Sequence, residues 1–140
     1  MNDQNYVTIL KESYKSRKEK RKDIIEEIIG KIHHSRTQLR ISLDELYLVI
    51  DEAITNAMEH GNKWDSNKEI GIEVLKNNRY LKILIKDQGN GFDQDMLTDN
   101  KSSVKNLKPR GRGIYIIKQF CEPSWNETGN QIQLRFDTID

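Results

Sequence analysis

The chain has 140 residues, enough for one domain with one proper core and too few for two. Lys plus Arg number 23 against 22 Asp plus Glu, a net charge of +1, so the strongly basic balance of a nucleic-acid-binding domain is absent. A single cysteine, Cys121, excludes an internal disulfide framework, and no apolar run approaches the ~20 residues of a membrane span. The first residues, Met-Asn-Asp-Gln-Asn, carry no basic and apolar leader pattern, and the expectation is one reduced, cytoplasmic domain over 1–140.

In chain order, Tyr6–Leu10 is a short β-favouring run and predicts the first strand. Ser16 and Glu19 have the spacing of a capping box, followed by Ile24, Ile25, Ile28, Ile29 and Ile32 at helical spacing. Lys11 to Lys22 is basic, which fits a solvated face. Ser42 and Glu45 form a second capping-box pattern before Leu46, Val49, Ile50, Ala53, Ile54, Ala57 and Met58, a helix closed by Gly61. Ile70–Val74 and Tyr80–Ile85 alternate around Lys76-Asn77-Asn78-Arg79 and predict a β-hairpin.

From Asp87 to Gly113 the chain is rich in Gly, Asn, Asp, Ser and Lys and predicts a long functional loop, mobile without ligand. Ile114, Ile117, Lys118 and Cys121 predict a short helix ending before Pro123, and Gln131–Phe136 alternates as a last strand. The order β-α-α-β-β-loop-α-β predicts an α+β sandwich, an antiparallel-rich sheet with helices on one face.

Three segments could carry chemistry. Between Ser42 and His60 lie five acidic residues and no Lys or Arg, and within that block Glu52 and Asn56 are i and i+4 on one helix face. Hard oxygen ligands suit Mg²⁺ and a free carboxylate can take a proton, although an ordinary polar face fits the segment equally. Asp87-x-Gly89-x-Gly91 follows a strand; a carboxylate there can accept from a purine amine, and a glycine turn is the plainer reading. In Arg110-Gly111-Arg112-Gly113 a basic loop enters a helix, and a helix N-terminus with its unpaired N–H groups suits phosphate. Neither a P-loop nor a complete dinucleotide fingerprint is present. His33, His34, His60 and Cys121 lack metal-ligand spacing, and Trp64 and Trp125 are too isolated for a base-stacking platform.

Taken together and in this order, the Glu52–Asn56 helix, Asp87-x-Gly89-x-Gly91 and Gly111-x-Gly113 resemble the N, G1 and G2 boxes of the GHKL ATPase superfamily. Asp-Glu-Ala-Ile-Thr-Asn-Ala-Met-Glu-His-Gly, Asp51 to Gly61, resembles its anti-sigma-factor serine/threonine kinase branch. The resemblance runs from about Tyr6 to Phe136. It implies a Bergerat-type two-layer α/β sandwich with a mixed, mainly antiparallel sheet and an ATP lid at about 93–113. ATP and Mg²⁺ would be the cofactors, with Glu52 as general base, Asn56 as metal ligand and Asp87 on the adenine amine. Gly89 and Gly91 would shape the pocket, and Arg110, Gly111, Arg112 and Gly113 would serve the lid and phosphates. The family commonly has Gly-Thr before the last strand; here Gly129-Asn130 stands there, and Asn130 would supply the missing hydrogen bond.

The implied activity is an ATP-dependent anti-sigma factor that phosphorylates an anti-sigma-factor antagonist. The implied partners are a sigma factor and a STAS-type antagonist, with a homodimer open and neither nucleic acid nor membrane involved. A non-catalytic, nucleotide-gated module that sequesters a regulatory partner would keep the same boxes.

Overall fold

A computed structural model describes residues 5–91 and 109–139. Five strands form one sheet in the order β1-β2-β3-β5-β4: β1 Val7–Lys15, β2 Glu69–Lys76, β3 Tyr80–Lys86, β4 Glu122–Trp125 and β5 Gln131–Asp137. Every ladder among the described residues is antiparallel. Helices α1 Arg21–His34, α2 Leu43–Asn56 and α3 Pro109–Lys118 complete the α+β sandwich.

Register explains the core. Val74, Ile83 and Leu134 pair across the three central strands, as do Ile72, Ile85 and Ile132, so one sheet face is a continuous apolar surface. Ile24, Ile25, Ile28 and Ile32 of α1 and Val49, Ile50, Ala53 and Ile54 of α2 are buried in the same cluster. The residues between them in sequence, such as Glu73, Lys82 and Arg135, lie on the other face, where the period of two places them. There Lys82 covers the Tyr6 ring at 4.4 Å and Arg135 the Tyr80 ring at 4.4 Å. No helix among the described residues is long and apolar enough to cross a membrane.

The Ser42–Glu45 capping box forms: the Glu45 N–H donates to Ser42 Oγ at 3.1 Å, and the Ser42 N–H to Glu45 Oε1 at 2.8 Å. The Ser16–Glu19 box does not. Lys18–Lys20 is a short 3₁₀ turn, α1 starts only at Arg21, and no side chain caps either. Ser16 instead ends β1: its N–H donates to the Lys68 carbonyl at 2.9 Å, and its hydroxyl is buried with no partner among the described residues.

Three further boundaries differ from the sequence reading. β1 continues to Lys15 because it is an edge strand in which only Leu10 is fully buried, so its second half shows no apolar alternation. β4 was not foreseen; its Pro123 is tolerated because the strand lies at the opposite edge of the sheet. α3 starts at Pro109, where a missing N–H costs nothing, so Gly111 and Gly113 lie inside the helix and not in a loop before it. The mobile-loop expectation for 92–108, and with it most of the lid, falls outside the described residues.

The two serines make opposite predictions. Ser42→Ala should cost about 1 kcal/mol, read as a lower urea midpoint at constant slope. Ser16→Ala should be neutral or stabilising, because it removes a buried hydroxyl that has no acceptor or donor. Equal losses from both would contradict these assignments.

Candidate functional site

The site is assembled at one end of α2. Beyond Asn56 the helix widens into a π turn, Ala57–Gly61, closed by an Asn62 N–H bond to the Ala57 carbonyl at 2.9 Å. Asn62 is fully buried and ties this turn to the sheet. Its Nδ2 donates to the Glu69 carbonyl at 3.0 Å, and its Oδ1 accepts from the Gln88 N–H at 2.8 Å. The end of α2, the start of β2 and the residues after β3 are thereby held together. Nothing in the sequence pattern singled out Asn62.

Asp87, next after β3, is 5% exposed. Its N–H donates to the Asn130 carbonyl at 2.9 Å, and its Oδ1 accepts the Gly89 N–H at 2.7 Å. Gly61 lies against this carboxyl so closely that a Cβ there would sit 2.2 Å from Asp87 Cγ. Gly91 has φ +83°, and a Cβ on it would strike the Thr128 carbonyl at 1.7 Å, so glycine is required at both positions. Thr128 and Asn126 belong to the turn before β5, where Asn130 Oδ1 accepts from Asn126 Nδ2 at 2.7 Å and from Thr128 Oγ1 at 2.9 Å.

α3 closes over α2. A Cβ on Gly113 would lie 2.9 Å from Glu52 Oε2 and 3.2 Å from Asn56 Nδ2, so the small residue sets how near the helices approach. Asn56, Asp87 and Asn130 share one cavity whose apolar walls include Ala53, Ile85, Ile114, Trp125 and Ile132. Asn56, Asp87 and Asn130 thus meet, with Glu52 beside them at the α2–α3 contact. Gly111 is buried in α3 and Arg112 is exposed on it, away from the cavity walls; Arg110 lies in the first helical turn. Trp125 is isolated in sequence, yet the alternation of the short strand β4 directs it at the cavity.

The cavity measures about 20 Å³, room for about one water, whereas small-molecule pockets run to roughly 300–1,000 Å³. Of α3, Ile114 lines this cavity beside Asp87. A larger cleft of about 710 Å³ lies between the end of β1 and α1, but it is walled by Tyr14, Arg17, Lys20, Asp23 and Glu27 and contains none of the motif residues.

Electrostatics single out Glu52. Burial raises its proton affinity above the usual glutamate range, Asp51 raises it further, and the Arg21 guanidinium partly offsets both. Burial also pushes the Cys121 thiol up to about 12, with help from Glu122, so it is no ready nucleophile. Tyr14 is raised by burial and by its hydrogen bond to Glu27.

The donor set fits a nucleotide with a bound cation: a buried carboxyl and a carboxamide line one apolar slot, and a carboxylate lies one helical turn from the carboxamide at the α2–α3 contact. Among the described residues no three His, Cys, Asp or Glu side chains are grouped to hold a metal, so a cation would draw most of its ligands from phosphate and water, as Mg²⁺ commonly does.

This sandwich, with its carboxyl–glycine turn beside a carboxylate–carboxamide helix, is the architecture of an ATPase domain. The chain belongs to the histidine kinase-like ATPase domain family, whose model matches residues 24–136. Among its relatives, the anti-sigma F factor of Shouchella clausii is 31% identical over 84 residues, 57% of this chain and 56% of that protein. The serine-protein kinase RsbW of Bacillus subtilis is 28% identical over 86 residues, 57% of this chain and 54% of that protein. The sensor protein VraS of Staphylococcus aureus is 28% identical over 92 residues, 66% of this chain but 25% of that protein. The chain thus spans about half the length of the first two.

Gly61→Ala tests the drawn geometry. It should cost about 1–3 kcal/mol of stability through overpacking and eliminate ATP binding by calorimetry, because Asp87 must move. Full stability and unchanged binding would contradict the contact.

Proposed function

We propose that this chain is a cytoplasmic, ATP-dependent anti-sigma factor that also phosphorylates a serine or threonine of an anti-sigma-factor antagonist of the STAS type. The observation that carries the reading is the meeting of Glu52 and Asn56 with the Gly113 backbone, beside the cavity that holds Asp87. The names of two relatives, an anti-sigma F factor and a serine-protein kinase, support it.

In this reading Asp87 accepts from the adenine amine, Ile85, Ile114 and Ile132 line the base, and Asn130 shapes the turn next to it. Gly89 and Gly91 let the backbone close on the nucleotide, and Gly111, Gly113, Arg110 and Arg112 serve the phosphates. Asn56 would hold Mg²⁺, which when bound would neutralise phosphate charge. Glu52 takes the proton of the attacking hydroxyl as its oxygen forms the new bond to the γ-phosphorus; the bond to the bridging oxygen breaks and ADP leaves. Phosphoryl transfer asks mostly for positioning and charge stabilisation, so these residues suffice.

The raised proton affinity of Glu52 has a defined sign. A base acts in its ionised form, so transfer should fall as pH drops, with an acid limb above the range of an ordinary glutamate. Glu52→Gln should lower transfer to a co-purified antagonist by at least ~100-fold while ATP affinity changes little. Both are read by radiolabel transfer and calorimetry. Transfer by Glu52→Gln at the wild-type rate would remove Glu52 from this role, and no transfer by wild type would leave a nucleotide-gated binding module.

A further inference from the structure

One residue back from Glu52 and Asn56, α2 carries a second i, i+4 pair, Asp51 and Thr55, about 100° further round the helix. Arg21 of α1 reaches this pair. Its Nη1 donates to Thr55 Oγ1 at 2.7 Å and to Asp51 Oδ1 at 3.2 Å, while its Nε donates to the Lys18 carbonyl at 3.2 Å. Thr55 Oγ1 lies a further 3.4 Å from Asp51 Oδ1, which closes the triangle.

We propose that Arg21 is a positioning residue for Glu52, clamping Asp51 and Thr55 so that the turn of α2 bearing Glu52 is fixed and the carboxylate beside it is balanced. In function this rests on the phosphotransfer reading; in geometry it does not. Three features support it. Arg21 occupies the first turn of α1, the end of the helix dipole that disfavours a cation, so its partners on α2 account for its place. Its fork is held at both ends, on the Lys18 carbonyl and on α2, a geometry that a lysine ammonium does not reproduce. The ion pair is also partly withdrawn from water, the two side chains being 29% and 37% exposed.

Among the described residues, the charges acting on Glu52 come from two elements. α1 offers Arg21 and α2 itself offers Asp51, whose effects on the Glu52 proton oppose each other. From α3 the facing group is Gly113, uncharged, with Arg112 exposed at the preceding position. Removing Arg21 alone therefore leaves a bare like charge one residue from Glu52. Removing Arg21 and Asp51 together leaves burial as the remaining influence among the described residues.

The test is a carbon-detected NMR titration of the Glu52 side-chain carboxyl, assigned by its loss in Glu52→Gln. It is run on wild type, Arg21→Met, Asp51→Asn and the double variant. Arg21→Met should raise the midpoint by roughly half to one pH unit, Asp51→Asn should lower it, and the double variant should return towards wild type. If Arg21→Met does not fold, Arg21→Gln, which keeps a donor for Thr55 without the charge, takes its place in the same comparison. An unchanged midpoint in the single variants, or the same shift in Arg21→Met and the double variant, would overturn the assignment. The acid limb of phosphotransfer should move with the midpoint. A wild type that transfers nothing would end the kinase reading and leave the titration result standing.

Discussion

A carboxyl that is 5% exposed must find its hydrogen-bond partners within the protein, and the architecture around Asp87 follows from that requirement. The Gly89 N–H satisfies one oxygen, and Gly61 lets a helix end come against the carboxyl without a side chain in between. Asn62, itself fully buried, binds the same helix end to β2 and to Gln88, so the position of Asp87 relative to α2 is set by hydrogen bonds on both sides. The Asp87 backbone is pinned in turn to Asn130, which brings the turn before β5 to the same place. One buried acid thus fixes three chain segments that are far apart in sequence.

α2 then divides its surface among several tasks. Val49, Ile50, Ala53 and Ile54 anchor it in the core, so its orientation is held by apolar burial that the polar faces cannot easily disturb. Glu52 and Asn56 face α3, while Asp51 and Thr55 face α1 through Arg21. Ile114 of α3 and Trp125 of β4 complete the walls of the cavity beside Asp87.

How much of this could be read from the residues depends on where the information lies. Strong periodicity identified α2, the hairpin and β5, because burial of one face forces the pattern. The Ser42 box formed and the Ser16 box did not: Ser16 directly follows a strand that runs on past Leu10 with exposed Lys11, Glu12 and Ser13, leaving no local apolar signal. The proline in β4 concealed a strand that only an edge position permits. At the site, the motif order brought Asn56, Asp87 and Asn130 to one cavity with Glu52 beside it, since those residues act through local spacing on regular elements. Asn62, Trp125 and Arg21 were not legible, because each acquires its meaning from a partner distant in sequence: Glu69 and Gln88, the cavity wall, and the Asp51–Thr55 pair.

The central claim is that the pocket built on Asp87 recognises adenine nucleotide. Calorimetric titration of wild type and Asp87→Asn with Mg²⁺-ATP and Mg²⁺-GTP tests it most directly. The account predicts that wild type binds ATP at least ~10-fold more tightly than GTP, and that Asp87→Asn loses most of the ATP affinity while staying folded. Equal affinity for both nucleotides, unaltered by Asp87→Asn, would contradict it.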